Sequence, residues 1–126
     1  MHHALLVGIG GFLGSILRHW LSGMAQAWVL GRFPIGTFFV NSLGCLAIGA
    51  LWSLIDCRQW FTPELRIFLT VGILGGFTTF SAFGYETFIL MRDQEYWQAL
   101  ANVLANVVGG TAAVAIGWAT AKAFAI

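Results

Sequence analysis

Two charged side chains lie well inside stretches of the chain that are otherwise apolar. Arg18 is the one fixed positive charge in such a position, and Glu86 is the one acid. Arg18 could attract an anion, or it could anchor a helix at a membrane surface or pair with an acid. Glu86 could be a proton relay or a cation site, or it could pair with Arg18 or accept a hydrogen bond from Thr79 or another hydroxyl.

Asparagines recur at helical spacing in two other apolar stretches. Asn41 follows Thr37 by one turn, and Asn106 follows Asn102 by one turn, so each pair shares a helix face. An asparagine amide offers two N–H donors and one carbonyl acceptor. These amides could form a polar track for an anion, or they could hydrogen-bond neighbouring helices.

The stretch GGFTTFSAFGYET at residues 75–87 is poor material for a plain helix. Gly75 and Gly76 each disfavour helix by about 1 kcal/mol, and threonine hydroxyls compete for backbone partners. An interruption in a membrane frees carbonyl oxygens that suit Na⁺ and amides that attract anions. The composition therefore predicts a helix that is broken near its middle, with the break buried in protein or lining a polar site.

Phe80 and Phe83 follow the predicted break and are neighbours on one helix face. A phenyl ring has a positive edge, so two inward edges could receive a small anion that has shed its water. The alternative is that both rings pack as core aromatics.

The elements that position these residues follow from composition. The chain has 126 residues, of which 59% are hydrophobic and 9% charged, whereas soluble domains are about a quarter charged. Its apolar stretches each reach the roughly 20 residues that cross a bilayer, at about 4–29, 33–55, 67–90 and 96–121. We predict an all-α membrane protein with one four-helix transmembrane domain over residues 1–126.

Other classes of protein are disfavoured by what the chain lacks. It has no basic patch suited to nucleic acid. Cys45 and Cys57 form no CxxC motif, and we interpret both as small packing residues. Paired carboxylates, a nucleophile–base set and metal-ligand spacing are also missing from the sequence, so we expect no enzyme.

The charged loops do not select one orientation in the membrane. Four spans place the termini and the 56–66 loop on one side, with three cationic side chains against two on the other: Arg58, Arg66 and Lys122 against Arg32 and Arg92. This near-balance permits insertion both ways and hence an antiparallel dimer with a two-fold axis in the membrane plane. One fixed topology is the alternative. Because four helices enclose little space, a polar pathway would need a second subunit.

Two GxxxG pairs predict close helix contacts. Gly10 and Gly14 form one pair in the first span, and Gly72 and Gly76 form another in the third. Arg18 extends the face that Gly10 and Gly14 begin.

Three motifs together resemble the CrcB/Fluc family of fluoride channels. They are GGFLGSILR at residues 10–18, Gly36-Thr37 followed by Asn41, and GGFTTFSAF at residues 75–83. The last motif is long and specific, and the likeness in length, spans and motifs covers nearly the whole chain.

The resemblance implies a passive, fluoride-selective channel in the plasma (inner) membrane of a prokaryote, which lets cytoplasmic fluoride leave. It implies an antiparallel homodimer with two pores and a structural Na⁺ at its centre, held by the carbonyls of Gly75 and Thr78. Phe80 and Phe83 would line the pore, and Asn41 would donate to fluoride. Further motif positions, with pore or support roles, are Arg18, Thr37, Thr79, Ser81 and Glu86.

The chain departs from the family pattern in its fourth span. Gly110 stands where the family has serine, and Asn106 and Asn102 stand one and two turns earlier, where hydroxyl or other polar side chains are usual. Gly84 replaces a common serine after Phe83. The polar track of the fourth span is therefore present but altered.

Two other functional classes compete with a channel. A proton-coupled exporter of cationic drugs would want an essential acid near the middle of its first helix, where this chain has Arg18 and no acid. A membrane subunit that transports nothing would use its polar residues only for assembly, and it would leave the predicted break unexplained.

Overall fold

The computed structural model describes residues 1–57 and 61–125. Within them it forms four long apolar spans and no strand. The spans are His2–Ala27, Ile35–Cys57, Pro63–Arg92 and Tyr96–Phe124, each apolar enough to cross a membrane. The prediction of an all-α fold with four long apolar helices is therefore confirmed.

The third span is broken at Thr78 and Thr79, as the sequence predicted. Its first half runs from Pro63 to Phe77 with a π-helical turn at Phe68–Leu74, and its second half is Phe80–Arg92. Between the halves the backbone is extended, with φ −89° and ψ 160° at Thr78 and φ −151° and ψ 119° at Thr79.

The threonines make the break, whereas Gly75 and Gly76, which were expected to weaken the helix as well, lie just before it. Both glycines are still helical. The Thr78 hydroxyl folds back and donates to the Leu74 carbonyl at 3.0 Å, which closes the first half. The Thr79 hydroxyl accepts from the Ala82 N–H at 3.2 Å, which caps the second half. The hydroxyls thus supply the end groups that a helix interruption needs.

The glycine pairs bring the first span against the first half of the third. A Cβ on Gly10 would lie 2.8 Å from the Cα of Gly72, and a Cβ on Gly76 would lie 2.5 Å from the carbonyl oxygen of Gly11. A Cβ on Gly14 would collide with the Ile73 carbonyl oxygen. Close packing at both GxxxG pairs is thereby confirmed, and it explains why Gly76 is glycine.

A similar close contact, which was not predicted from the sequence, joins the second and fourth spans. Cβ atoms on Gly49 and Gly117 would collide with the Val114 and Leu46 carbonyl oxygens respectively. The fourth span has its own π-helical turn at Ala105–Gly109. Cys45 packs here as expected, because its Sγ is 3.4 Å from where a Gly110 Cβ would be.

An ion pair joins the two connections that were predicted to share one side. Arg32 Nη1 lies 3.0 Å from Asp93 Oδ2, and Arg92 Nε lies 2.9 Å from Asp93 Oδ1. Arg92 and Arg32 together lower the pKa of the exposed Asp93 carboxyl, Arg92 being the main cause through its hydrogen bond. Arg58, which entered the charge comparison, lies outside the described residues.

We predict that Gly14→Ala destabilises the protein, because the new methyl group would meet the Ile73 carbonyl and the Phe77 N–H, which are rigid backbone. Overpacking of this kind costs about 1–3 kcal/mol in free energy of unfolding. Gly8→Ala is the matched control, since a Cβ there meets nothing within 4 Å. Thermal unfolding in detergent measures the difference, and equal melting temperatures for the two variants would contradict the packing described.

Candidate functional site

Asn41 of the second span holds the broken backbone of the third. The Thr79 N–H donates to Asn41 Oδ1 at 2.8 Å, and Asn41 Nδ2 donates to the Thr79 carbonyl at 3.1 Å. The remaining Nδ2 proton goes to Asn106 Oδ1 at 3.0 Å. Of the two roles open at Asn41, the structure shows the bond to neighbouring helices, and donation to fluoride stays a prediction.

The break leaves backbone carbonyls available near the middle of the third span. The ordinary helical partner of the Gly75 carbonyl is the Thr79 N–H, which donates to Asn41 instead. The Thr78 carbonyl accepts from Arg18 Nη1 at 3.3 Å, and the Gly76 carbonyl accepts weakly from Ser15 Oγ at 3.5 Å. Carbonyl oxygens are hard ligands. The exposed Gly75 and the Thr78 carbonyl therefore fit a cation such as Na⁺ chemically.

Arg18 points at the break. Its hydrogen bond to Thr78 spans the first and third helices, and no salt bridge joins it to Glu86 in the described chain. Pairing with that acid is thus not what holds Arg18 in place. The guanidinium puts a fixed positive charge beside the interruption.

Phe80 and Phe83 lie together on the second half of the third span, as their spacing predicted. Their ring centroids are 5.5 Å apart and the rings are tilted by 50°. Phe83 is buried, whereas Phe80 is 82% exposed on the single chain. Both rings line an open groove of about 390 Å³ together with Asn41 and Asn106. Gly75 and Thr78 lie on the same groove.

A second, more polar cavity of about 770 Å³ also borders the break. Its lining includes Arg18, Ser81 and Glu86. Thr37 Oγ1 donates to Glu86 Oε1 at 2.6 Å, so the hydroxyl beside Glu86 is that of Thr37, not of Thr79. Glu86 Oε2 is buried and has no hydrogen-bond partner among the described residues. Thr79 borders both cavities, so both adjoin the break.

The two asparagines of the fourth span continue the hydrogen bonding that starts at Asn41. Asn106 Nδ2 donates to Asn102 Oδ1 at 3.0 Å, and Asn102 Nδ2 donates to Thr87 Oγ1 at 2.9 Å. Thr87 Oγ1 in turn donates to the Phe83 carbonyl at 2.8 Å. Sequence reasoning missed Thr87; the available signal was its position one turn after Phe83.

The predicted site residues thus converge from all four spans on one interruption. Asn41, Phe80, Phe83 and Asn106 meet on the groove, and Arg18, Thr37, Ser81 and Glu86 lie on or beside the polar cavity. Asn102 is fully buried and lines neither cavity. Within the described residues, His, Cys, Asp and Glu side chains form no metal-binding cluster.

Four spans apolar enough to cross a membrane, with a break in the third and polar side chains gathered beside it, are typical of membrane transport proteins. Its sequence matches, over residues 5–118, the profile of the family described as CrcB-like protein, Camphor Resistance (CrcB). The chain belongs to the CrcB family.

Curated relatives cover nearly the whole chain. A protein of Methylobacillus flagellatus is 41% identical over 97% of this chain and 96% of its own length. One of Solibacter usitatus is 46% identical over 90% and 93%, and one of Pyrococcus horikoshii is 43% identical over 94% of each chain. All three are named fluoride-specific ion channel FluC. These are the names of ion channels and not of enzymes, in agreement with the expectation of no catalytic activity.

Proposed function

We propose that the protein is a fluoride-selective channel that lets cytoplasmic fluoride leave the cell passively. The observation that carries the proposal is the convergence of Asn41, Phe80 and Phe83 on one groove beside the break, in a chain whose relatives are named fluoride channels. Those relatives are bacterial and archaeal, which supports a place in the plasma (inner) membrane of a prokaryote.

Fluoride is small and strongly hydrated, so a selective pathway must replace its water with donors and a positive field. Arg18 supplies fixed positive charge at the break. The Phe80 and Phe83 ring edges supply weakly positive C–H groups on the groove, which a second copy would narrow. Fluoride enters cells as the weak acid HF and is trapped as the ion, so the membrane potential alone can drive its exit. Chloride, which is larger, would be excluded by width.

Asn41 would take part by exchanging one partner. Both of its N–H groups are engaged, one with the Thr79 carbonyl and one with Asn106. A fluoride ion in the groove would accept one of these protons in place of the neutral oxygen, since hydrogen bonds to ions are the stronger kind. The hydroxyls of Thr79 and Ser81, 3.3 Å apart, offer further donors on the polar side of the break. Thr37 and Glu86, which line the same polar cavity, would support these donors.

The active form would be an antiparallel homodimer with two pores. Phe80 is 82% exposed and the groove on which it lies is open on the single chain. A second copy could close the groove and wall each pore, as the near-balance of charged loops permits.

We expect the protein to insert in both orientations. A single cysteine added at the amino terminus of a Cys45→Ala, Cys57→Ala chain should react with a membrane-impermeant maleimide from both sides of the membrane, each side labelling about half of the molecules. Labelling from one side only would contradict the antiparallel arrangement.

We further propose that Na⁺ is held at the dimer centre by the carbonyls of Gly75 and Thr78, contributed by both copies. The cation would supply positive charge and tie the two breaks together. Arg18 donates to the Thr78 carbonyl at 3.3 Å. When Na⁺ is bound, Arg18 would either share that oxygen with the ion or give up this hydrogen bond.

Titration with Na⁺ should therefore raise the melting temperature of protein purified in N-methyl-D-glucamine salts, because a ligand that binds only the folded state stabilises it. N-methyl-D-glucamine chloride at equal ionic strength is the control. A melting temperature that stays flat with Na⁺ would contradict the site.

Fluoride efflux from liposomes that hold the purified protein tests the function itself. Release is followed with a fluoride electrode after a K⁺ ionophore is added for charge balance, and chloride is the comparison anion. We expect rapid fluoride release with chloride retained. Folded, dimeric protein that releases no fluoride would overturn the proposal.

A further inference from the structure

A chain of hydrogen bonds connects the groove to a half-buried threonine, Thr87, that does not line it. The Asn41 side chain donates to Asn106, and Asn106 donates to Asn102. Asn102 in turn donates to Thr87, whose hydroxyl donates to the carbonyl of Phe83. Its two ends are thus the amide proposed to donate to fluoride and the backbone of a phenylalanine proposed to line the pore.

The direction of this chain is set at Thr87 and also at Asn106, whose Nδ2 donates to the Asn102 backbone carbonyl at 3.0 Å. A hydroxyl has one proton, and Thr87 gives that proton to the Phe83 carbonyl, which can only accept. Thr87 Oγ1 can therefore only accept from Asn102, which must turn its Nδ2 toward it. Asn102 Oδ1 then faces Asn106, and it accepts from Asn106 Nδ2.

The same direction is required at the other end. Asn106 presents Oδ1 to Asn41, so Asn41 must present an N–H to it. This leaves Asn41 Oδ1 for the Thr79 N–H. If the chain ran the other way, Asn41 would turn its carbonyl oxygen toward Asn106 and leave the Thr79 N–H without an acceptor. A carbonyl oxygen on the groove would also repel an anion.

We propose that Thr87 and Asn102 are positioning residues for fluoride passage. Together with the Thr79 N–H and the Asn102 backbone carbonyl, which favour the same direction, they hold the amide orientation of Asn106 and Asn41, so that Asn41 keeps its N–H groups at the groove. They also tie that orientation to the backbone of Phe83. Asn102 is fully buried, so its amide has no water to turn toward, and the hydrogen bonds from Asn106 reach Thr87 through it. The inference rests on the proposed fluoride channel.

Thr87→Val tests the proposal, because valine keeps the shape of threonine and removes the oxygen that orients Asn102. Thr87→Ser, which restores the hydroxyl, is the rescue. Thr111→Val is the matched control: its hydroxyl makes the same bond to the carbonyl four residues earlier, at 2.7 Å, but on an exposed face. Each variant is assayed in liposomes for apparent fluoride affinity, for the fluoride-to-chloride permeability ratio and for melting temperature.

We expect Thr87→Val to weaken the apparent fluoride affinity about fivefold, the effect of one misdirected hydrogen bond, and to lower the permeability ratio. Thr87→Ser and Thr111→Val should match the parent protein. A lower melting temperature with parental affinity and parental permeability ratio would overturn the proposal, because it would mark Thr87 as merely structural. Parental values throughout would overturn it as well.

A second readout does not depend on transport. The ¹⁵N side-chain amide signals of Asn41 and Asn106 should shift in Thr87→Val and stay in place in Thr111→Val. If the parent protein moves no fluoride, the proposed function fails, and these signals still decide whether the relay orients Asn41. Unshifted signals would overturn the relay.

Discussion

Replacing Phe83 with isoleucine is expected to reduce fluoride efflux by about tenfold, the equivalent of about 1.4 kcal/mol in barrier height. Isoleucine keeps a bulky apolar side chain but has no ring, and so it lacks the positive edge that would face an unhydrated anion. Phe80→Ile is expected to act in the same direction, because the two ring centroids are only 5.5 Å apart and share the groove.

Phe88→Ile is the control for this pair. Phe88 lies on the same half-helix, Phe80–Arg92, and is 57% exposed, but it does not line the groove. Efflux through Phe88→Ile should equal that of the parent protein. Should Phe80→Ile and Phe83→Ile also carry fluoride at the parental rate with unchanged melting temperatures, the rings would be packing residues and the proposed pore would lie elsewhere.

Asn41→Leu is expected to cost both stability and transport. Leucine is close to asparagine in size but leaves the Thr79 N–H, the Thr79 carbonyl and Asn106 Oδ1 without the partner described above. An unsatisfied buried polar group costs about 1–3 kcal/mol. Because water can hydrogen-bond some of these groups, we expect a loss of about 2–4 kcal/mol in free energy of unfolding. We also expect efflux to be lost.

Ser42→Ala provides the comparison at the next position on the same helix. Ser42 Oγ is buried and makes no hydrogen bond within the described residues, so its removal should leave melting temperature and efflux unchanged. Asn41→Asp separates the two effects further: it keeps an acceptor for the Thr79 N–H, but its negative charge would oppose an anion. A stable Asn41→Asp protein that conducts fluoride at the parental rate would rule out Asn41 as its donor.

Much of the fold follows from the sequence because a bilayer restricts what an apolar chain can do. Four spans, the glycine contacts and the existence of a break needed only hydropathy, spacing and the cost of free backbone groups. The break lies within the predicted stretch, residues 75–87. Glycine weakens a helix, but at Gly76 it serves the close approach of Gly11, and only the packed structure distinguishes these two roles.

The site was less predictable, because its bonds depend on how the helices rotate against one another. The sequence placed Asn41, Asn102 and Asn106 on suitable faces but left open which groups they meet. Glu86 was expected to meet Arg18 or a hydroxyl, and the structure pairs it with Thr37, 49 positions away in the chain. Thr87 went unnoticed because a threonine that bonds its own helix is ordinary in membrane spans.

The anchoring of the break by Asn41 also bears on how the protein is made. The third span alone has threonines that can end one helix and start the next, but the acceptor for the Thr79 N–H belongs to the second span. Because a chain emerges from the ribosome amino end first, that acceptor is already in the bilayer when the third span arrives. Asn106 and Asn102 arrive last. A nascent chain that stops before the fourth span therefore has its helix interruption in place while the Asn41 side chain still lacks the neighbour that completes it.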